Sequence, residues 1–255
     1  MINMVFDTLV DAASAVFVFG SLAALSLVMR LRADGLRLVY EASLPMGLTG
    51  FLIGAIGMLA AESNPAQIAS AVAIAILTVV YGAIVRLLLS ETESFGFPTQ
   101  SASRVSKMLG SVAIAAMLLW AMFAVAKGNV SIYWYPQVAL LLGGVAILVF
   151  LVSRALGQHY RTGWAAKLTT IGWIGFSVGV VSGLPQLENP ELLGPAIAFS
   201  FTSLLYALIT MIFGLIWAPS AMSARDGVLQ LGVGFAAATT LSALAVLAAL
   251  VLALP

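Results

Sequence analysis

Long apolar runs, broken by short clusters of charged or turn-forming residues, make up most of the 255-residue chain. Eight stand out, near 6–30, 43–61, 67–89, 106–126, 136–155, 166–185, 192–217 and 229–254. Each is close to the roughly 20 apolar residues that a helix needs to cross a bilayer. The runs are rich in Ala, Leu and Gly and lack period-two alternation, so helices rather than strands are expected. Helices also satisfy their own backbone hydrogen bonds in lipid. The pattern predicts an all-α polytopic membrane protein with eight transmembrane helices.

Composition agrees. The chain is 62% hydrophobic and 8% charged, where a soluble domain carries about 25% charged residues. Too little polar side chain remains to coat a globule in water. A net charge of +1 gives no bulk attraction to nucleic acid, and the absence of cysteine removes disulfides and thiol chemistry. The start, MINMVFDTLVD, is acidic where a signal peptide would be basic, so the N-terminus is expected to belong to the mature structure.

Charge placement predicts orientation. With the 31–42 loop in the cytoplasm and one crossing per helix, ten of the eleven Lys and Arg residues fall on the cytoplasmic side; only Lys127 lies outside. Short loops are where the positive-inside rule operates. Both termini are then external, and Tyr133, Trp134 and Tyr135 are expected at the outer interface, which aromatic rings favour.

The chain also repeats. At an offset of 125 and without a gap, residues 50–84 match 175–209 at ten of thirty-five positions, among them Gly50/Gly175, Gly54/Gly179, Asn64/Asn189, Pro65/Pro190 and Tyr81/Tyr206. Biased composition alone gives about four matches. Gly20/Gly144 and Arg30/Arg154 follow at offset 124, and Leu109-Gly110 against Leu231-Gly232 at 122. The expected organisation is two four-helix units, 1–128 and 129–255. Four crossings is an even number, so the units would be parallel repeats, with N and C termini both outside.

Candidate chemistry is sparse. His159 lies in a polar loop, GQHYR, and reads as solvated. No HExxH, paired-carboxylate or nucleophile–base arrangement is visible, so no catalytic residue, metal site or cofactor is expected and the chain does not read as an enzyme. The acidic residues lie in loops or near helix ends, Asp11 and Glu41 being the deepest. An ion pathway usually needs an ionisable group inside the membrane. What the apolar runs do contain is a glycine face, Gly47, Gly50, Gly54 and Gly57, of the kind that lets helices approach closely. Thr78 reads either as bonded to its own helix's carbonyl or as lining a wet path or partner helix.

The segments GFLIGAIGML, NPAQI and AVAIAILTVVYGAIV together resemble the last two membrane helices of the MotA/TolQ/ExbB family, closest to its flagellar stator subunits. DTLVDAASAVFVFGSLAAL and AMFAVAKGNVSIYWYPQVALLLGGVAILV are similar to other helices of that family, so the resemblance covers most of the chain. It implies a bacterial inner-membrane homo-oligomer, a pentamer, surrounding single-span partner helices that each carry an essential aspartate. On that basis Thr78, Thr49, Tyr81 and Pro45 would line the ion path or partner helix. Gly47, Gly50, Gly54, Gly57 and Gly82 would form the packing face. The second-copy counterparts are Gly175, Gly179, Ser203 and Tyr206.

Departures from the family pattern carry information. Val79 and Phe51 stand where the pattern has hydroxyls, which removes oxygens that a sodium ion would use and points to protons. Thr170 replaces Pro45, Ser182 replaces Gly57 and Ala207 replaces Gly82 in the second copy, which therefore reads as scaffold. The loops at 31–42 and 156–165 are too short to hold the stator's large cytoplasmic domain. A secondary transporter with parallel repeats and a purely structural membrane module remain as alternatives.

Overall fold

A computed structural model of the chain describes residues 11–28, 33–60, 65–90, 103–155, 164–183 and 190–217. Among these the only regular elements are helices: α1 (Ala12–Val28), α2 (Ala33–Ala60), α3 (Pro65–Leu88), α4 (Arg104–Val125), a 3-10 turn (Val130–Tyr133), α5 (Pro136–Ala155), α6 (Trp164–Gly183) and α7 (Pro190–Trp217). The expected eighth run, 229–254, lies outside the described residues, as do Asn64, His159 and Asn189. Among the described residues, four segments are long and apolar enough to cross a membrane: Gly35–Leu59, Arg104–Val125, Val130–Ala155 and Ile197–Trp217. Ala12–Leu27 and Ile74–Leu88 are apolar but shorter. The protein is an all-helical membrane protein by these lengths and compositions.

Local chemistry explains where the helices begin and end. Pro65 and Pro190 occupy the first position of α3 and α7, where a missing N–H costs nothing and φ is already helical. Asp11 caps α1: its carboxylate accepts from the Ser14 amide at 2.7 Å and from the Ser14 hydroxyl at 2.6 Å. Ser103 caps α4 by accepting from the Ser106 amide at 3.1 Å. At the other end of α4 the Gly128 amide returns to the Phe123 carbonyl at 3.1 Å. This closure places Lys127 and Gly128 at positive φ (48° and 93°), a left-handed turn that Gly adopts without strain.

One expected loop is helix. Of the expected 31–42 loop, residues 33–42 form the first turns of α2. Arg37 and Glu41 pair at 3.0 Å across one turn, while Leu38, Val39 and Ala42 are buried, so this charged stretch is an amphipathic helix. The charges masked its apolar positions. Pro45 lies inside the same helix, which runs through it without a break.

The core centres on two antiparallel hairpins, α2–α3 and α6–α7, each the most extensive contact in its half of the chain. α2 is the hub: α1, α3, α4 and α7 all pack on it. α5 packs on α6 and α7. α4 and α7 are tied at one end, where Lys107 Nζ donates to the Trp217 carbonyl at 3.2 Å and Trp217 Nε1 to Ser111 Oγ at 2.9 Å. The start of α4 and the end of α7 therefore lie on the same side.

Candidate functional site

The residues singled out in the sequence converge on the α2–α3 seam. A Cβ on Gly47 would lie 2.7 Å from the Thr78 carbonyl oxygen, and one on Gly82 would lie 2.6 Å from the Ser43 carbonyl oxygen. Backbone meets backbone there, which only glycine permits. One turn along, a Cβ on Gly50 would lie 2.6 Å from Thr78 Cγ2, so the threonine side chain fills the notch that Gly50 leaves. Gly57 faces α4, against Val125 and the Tyr133 hydroxyl. Gly54 is buried on the same helix.

The proposed lining groups are all inside. Thr49 and Thr78 are fully buried, and Pro45 and Tyr81 are buried with them. Thr49 Oγ1 donates to the Pro45 carbonyl at 2.8 Å. Thr78 Oγ1 lies 3.0 Å from the carbonyls of both Ile74 and Ala75. Each hydroxyl proton is thus directed at its own helix, the usual arrangement for a buried threonine. Beside Thr78, a cavity of about 10 Å³ opens among Phe17, Gly50, Ile53, Ile74 and Trp120. It has room for one water at most, and its lining is apolar. Arg86, at the end of α3, stacks over the Tyr40 ring with 4.5 Å to its centroid.

At offset 125, two glycine contacts of the α6–α7 seam correspond to two of the α2–α3 seam. A Cβ on Gly175 would lie 2.7 Å from Ser203 Cβ, as Gly50 faces Thr78. One on Gly172 would lie 2.7 Å from Ala207 Cβ, as Gly47 faces Gly82. Gly179 faces Ser200. Ser203 Oγ donates to the Phe199 carbonyl at 3.1 Å, again within its own helix. Ala207 in place of Gly82 puts a methyl where the first seam has backbone contact. Thr170 and Ser182, which replace Pro45 and Gly57, are both exposed.

Tyrosines join the seams to the preceding helices. The Asp11 amide donates to the Tyr81 hydroxyl at 3.4 Å, and the Tyr135 amide to the Tyr206 hydroxyl at 3.3 Å. Tyr206 also donates to the Tyr133 carbonyl at 2.7 Å. Tyr133 in turn donates to the Ile53 carbonyl at 3.0 Å and is buried. Of the three aromatic residues expected at an outer interface, only Trp134 is exposed; Tyr135 is half-buried against Phe199. The 3-10 turn rotates Tyr133 inward to α2. A tyrosine with one apolar face and one hydroxyl suits an interface or a buried carbonyl equally, so composition gave no sign of the difference.

Among protein-family models, curated proteins and solved structures, none matches the chain. Among the described residues, no group of three or more His, Cys, Asp or Glu side chains could hold a metal ion. The described contacts of the seam are those of close packing: small residues, hydroxyls turned onto their own helices, and tyrosines accepting amides at helix starts.

Proposed function

We propose that this chain is a wall-forming membrane subunit of a complex similar to the flagellar stator and Tol–Exb systems. It would comprise two parallel four-helix repeats, 1–128 and 129–255, with eight crossings and both termini outside. The wall surrounds a single transmembrane helix of a partner protein. That helix carries the carboxylate on which ions move, and the ion is a proton. The site of action is the bacterial inner membrane.

The observation that carries the reading is the convergence of Gly47, Gly50, Thr78, Tyr81 and Gly82 on one seam, with the same contacts at Gly172, Gly175, Ser203, Tyr206 and Ala207. A duplicated rigid seam is what a wall requires. Among the described residues, Asp11 caps α1 and Glu41 pairs with Arg37; on this reading the membrane-buried acid comes from another chain. The close packing of the seam, where a small cavity beside Thr78 has an apolar lining, favours a wall over a solute-binding transporter.

The test is purification from native membranes followed by reconstitution. The expected result is a stable complex with a single-span protein bearing an intramembrane Asp or Glu. That pair would pass protons in vesicles, and Asp→Asn or Glu→Gln in the partner would abolish the flux. Solute uptake by this chain alone, or a complex with no such acid, would overturn the reading.

A further inference from the structure

Among the described residues, every Lys and Arg except Lys127 lies at one end of the bundle. Gly57, late on α2, faces Val125 at the end of α4, so α2 and α4 begin on the same side. Lys107, at the start of α4, bonds the Trp217 carbonyl at the end of α7. α6 runs antiparallel to α7, with Gly172 facing Ala207 and Gly179 facing Ser200. On the first turn of α6, Lys167 donates to Ser153, near the end of α5, at 3.4 Å. Arg37, Arg86, Arg104, Lys107, Arg154 and Lys167 therefore share this end. Lys167 also lies 5.6 Å from the centroid of the Trp164 ring, and indole rings mark headgroup depth in membrane proteins.

Arg86 differs from its neighbours at this end. Arg37 pairs with Glu41, and Lys107 and Lys167 donate to oxygens of adjacent helices. Nη1 of Arg86 is buried and meets no acceptor among the described residues, while its guanidinium stacks on Tyr40 at 4.5 Å. A buried charged donor without an acceptor is costly, and the stack holds the planar fork in place. The residue as a whole is half-buried, so part of it stays within a ligand's reach. Beside it, Leu87, Ile84, Val80 and Ile76 form an exposed apolar row along α3. From Ile76 to Leu87 that row runs about 16 Å, close to half of the roughly 30 Å hydrocarbon core. A cation at headgroup depth, above an apolar row one leaflet long, has the outline of a phospholipid.

We infer that Arg86, held by Tyr40, binds the phosphate of an anionic phospholipid whose acyl chain lies along the Ile76–Leu87 row of α3. Charge complementarity selects the occupant. A guanidinium meets a phosphate through two parallel hydrogen bonds, and basic pockets between membrane helices draw anionic headgroups. The site belongs to the first half alone: at offset 125 the place of Arg86 is taken by Met211, which is buried. One lipid per chain follows. The site depends neither on a partner helix nor on ion flow, so it stands apart from the wall reading.

The full chain is purified in detergent, stripped of lipid, and titrated separately with phosphatidylglycerol, phosphatidylcholine and inorganic phosphate. Native mass spectrometry reads the bound species. The expected result is one phosphatidylglycerol per chain, held about tenfold more tightly than phosphatidylcholine. Arg86→Gln should abolish that preference, and Arg86→Lys, which keeps the charge without the fork, should retain part of it. Tyr40→Leu should weaken binding with the charge intact, which keeps the test open if Arg86→Gln does not fold. Arg37→Gln should change nothing. Equal retention of the two lipids, or a preference that survives Arg86→Gln, would overturn the site. Inorganic phosphate binding as tightly as phosphatidylglycerol would make it a free-anion site and overturn the lipid. Glu91 and Glu93 follow α3 in the sequence and lie outside the described residues. Tighter lipid binding in Glu91→Gln or Glu93→Gln would mark one of these acids as the partner of Arg86, and would also overturn the proposal. A protein lost from native membranes in Arg86→Gln, with lipid retention unchanged, would assign the cation to that protein instead.

Discussion

The hydroxyl of Tyr81 accepts the backbone amide of Asp11 at 3.4 Å, seventy residues earlier in the chain. An amide at the start of a helix has no partner within that helix, and here a side chain of α3 supplies one. Tyr206 does the same for the Tyr135 amide at 3.3 Å, just before α5 begins. A match of composition would not reproduce a hydrogen bond.

Tyr206 makes a second bond, to the Tyr133 carbonyl at 2.7 Å. Tyr206→Phe is expected to cost about 1–2 kcal/mol, since membrane hydrogen bonds are individually modest. Unfolding in detergent, followed by circular dichroism, measures the loss. An unchanged stability would mean that neither bond of the Tyr206 hydroxyl contributes.

Gly47 and Gly144 give opposite expectations for one substitution. A Cβ on Gly47 meets the Thr78 carbonyl oxygen, whereas Gly144 has nothing within 4 Å. Gly47→Ala should destabilise by about 1–3 kcal/mol through forced separation of backbones. Gly144→Ala should stabilise by roughly 0.5–1 kcal/mol through helix propensity. Melting temperatures of the two variants check the signs.

The helices were legible because apolar runs of this length have few alternatives in lipid, and the glycine positions because only glycine permits such approach. Tyr81 and Tyr206 were legible as a matched pair in the sequence, though the amides they hold were not. Three features were hidden. Residues 33–42 carry the charges of a loop on the polar face of a helix. Tyr133 reads as an interfacial ring and is instead a buried donor to Ile53. Thr78 left two options open, and its contact with Gly50 and the direction of its hydroxyl depend on how α2 and α3 cross, which no single-helix pattern contains.

Thr78→Val keeps the shape that fills the Gly50 notch and removes only the hydroxyl. The seam should stay within about 1 kcal/mol of its original stability. In the assembled complex, proton flux should fall with this variant and be unchanged in Ser203→Ala, because the first copy keeps the lining pattern. Stopped-flow dye measurements in vesicles compare them. Equal losses would show that both copies line the path.

Val79 and Phe51 leave the seam without the oxygens a sodium ion would use. Flux at constant proton-motive force should not change as external sodium is varied. A saturable dependence on sodium would reverse the choice of ion.

The most direct test of the parallel repeat is the sidedness of the loops in each half. Single cysteines at Thr99, Asn129, Gln158 and Gln186, in the cysteine-free chain, are treated in intact cells with a membrane-impermeant maleimide. Parallel repeats predict labelling at Asn129 and Gln186, and labelling at Thr99 and Gln158 only after the membrane is opened. Gln158 labelled in intact cells, or Asn129 and Gln186 on opposite sides, would contradict eight crossings in two parallel copies.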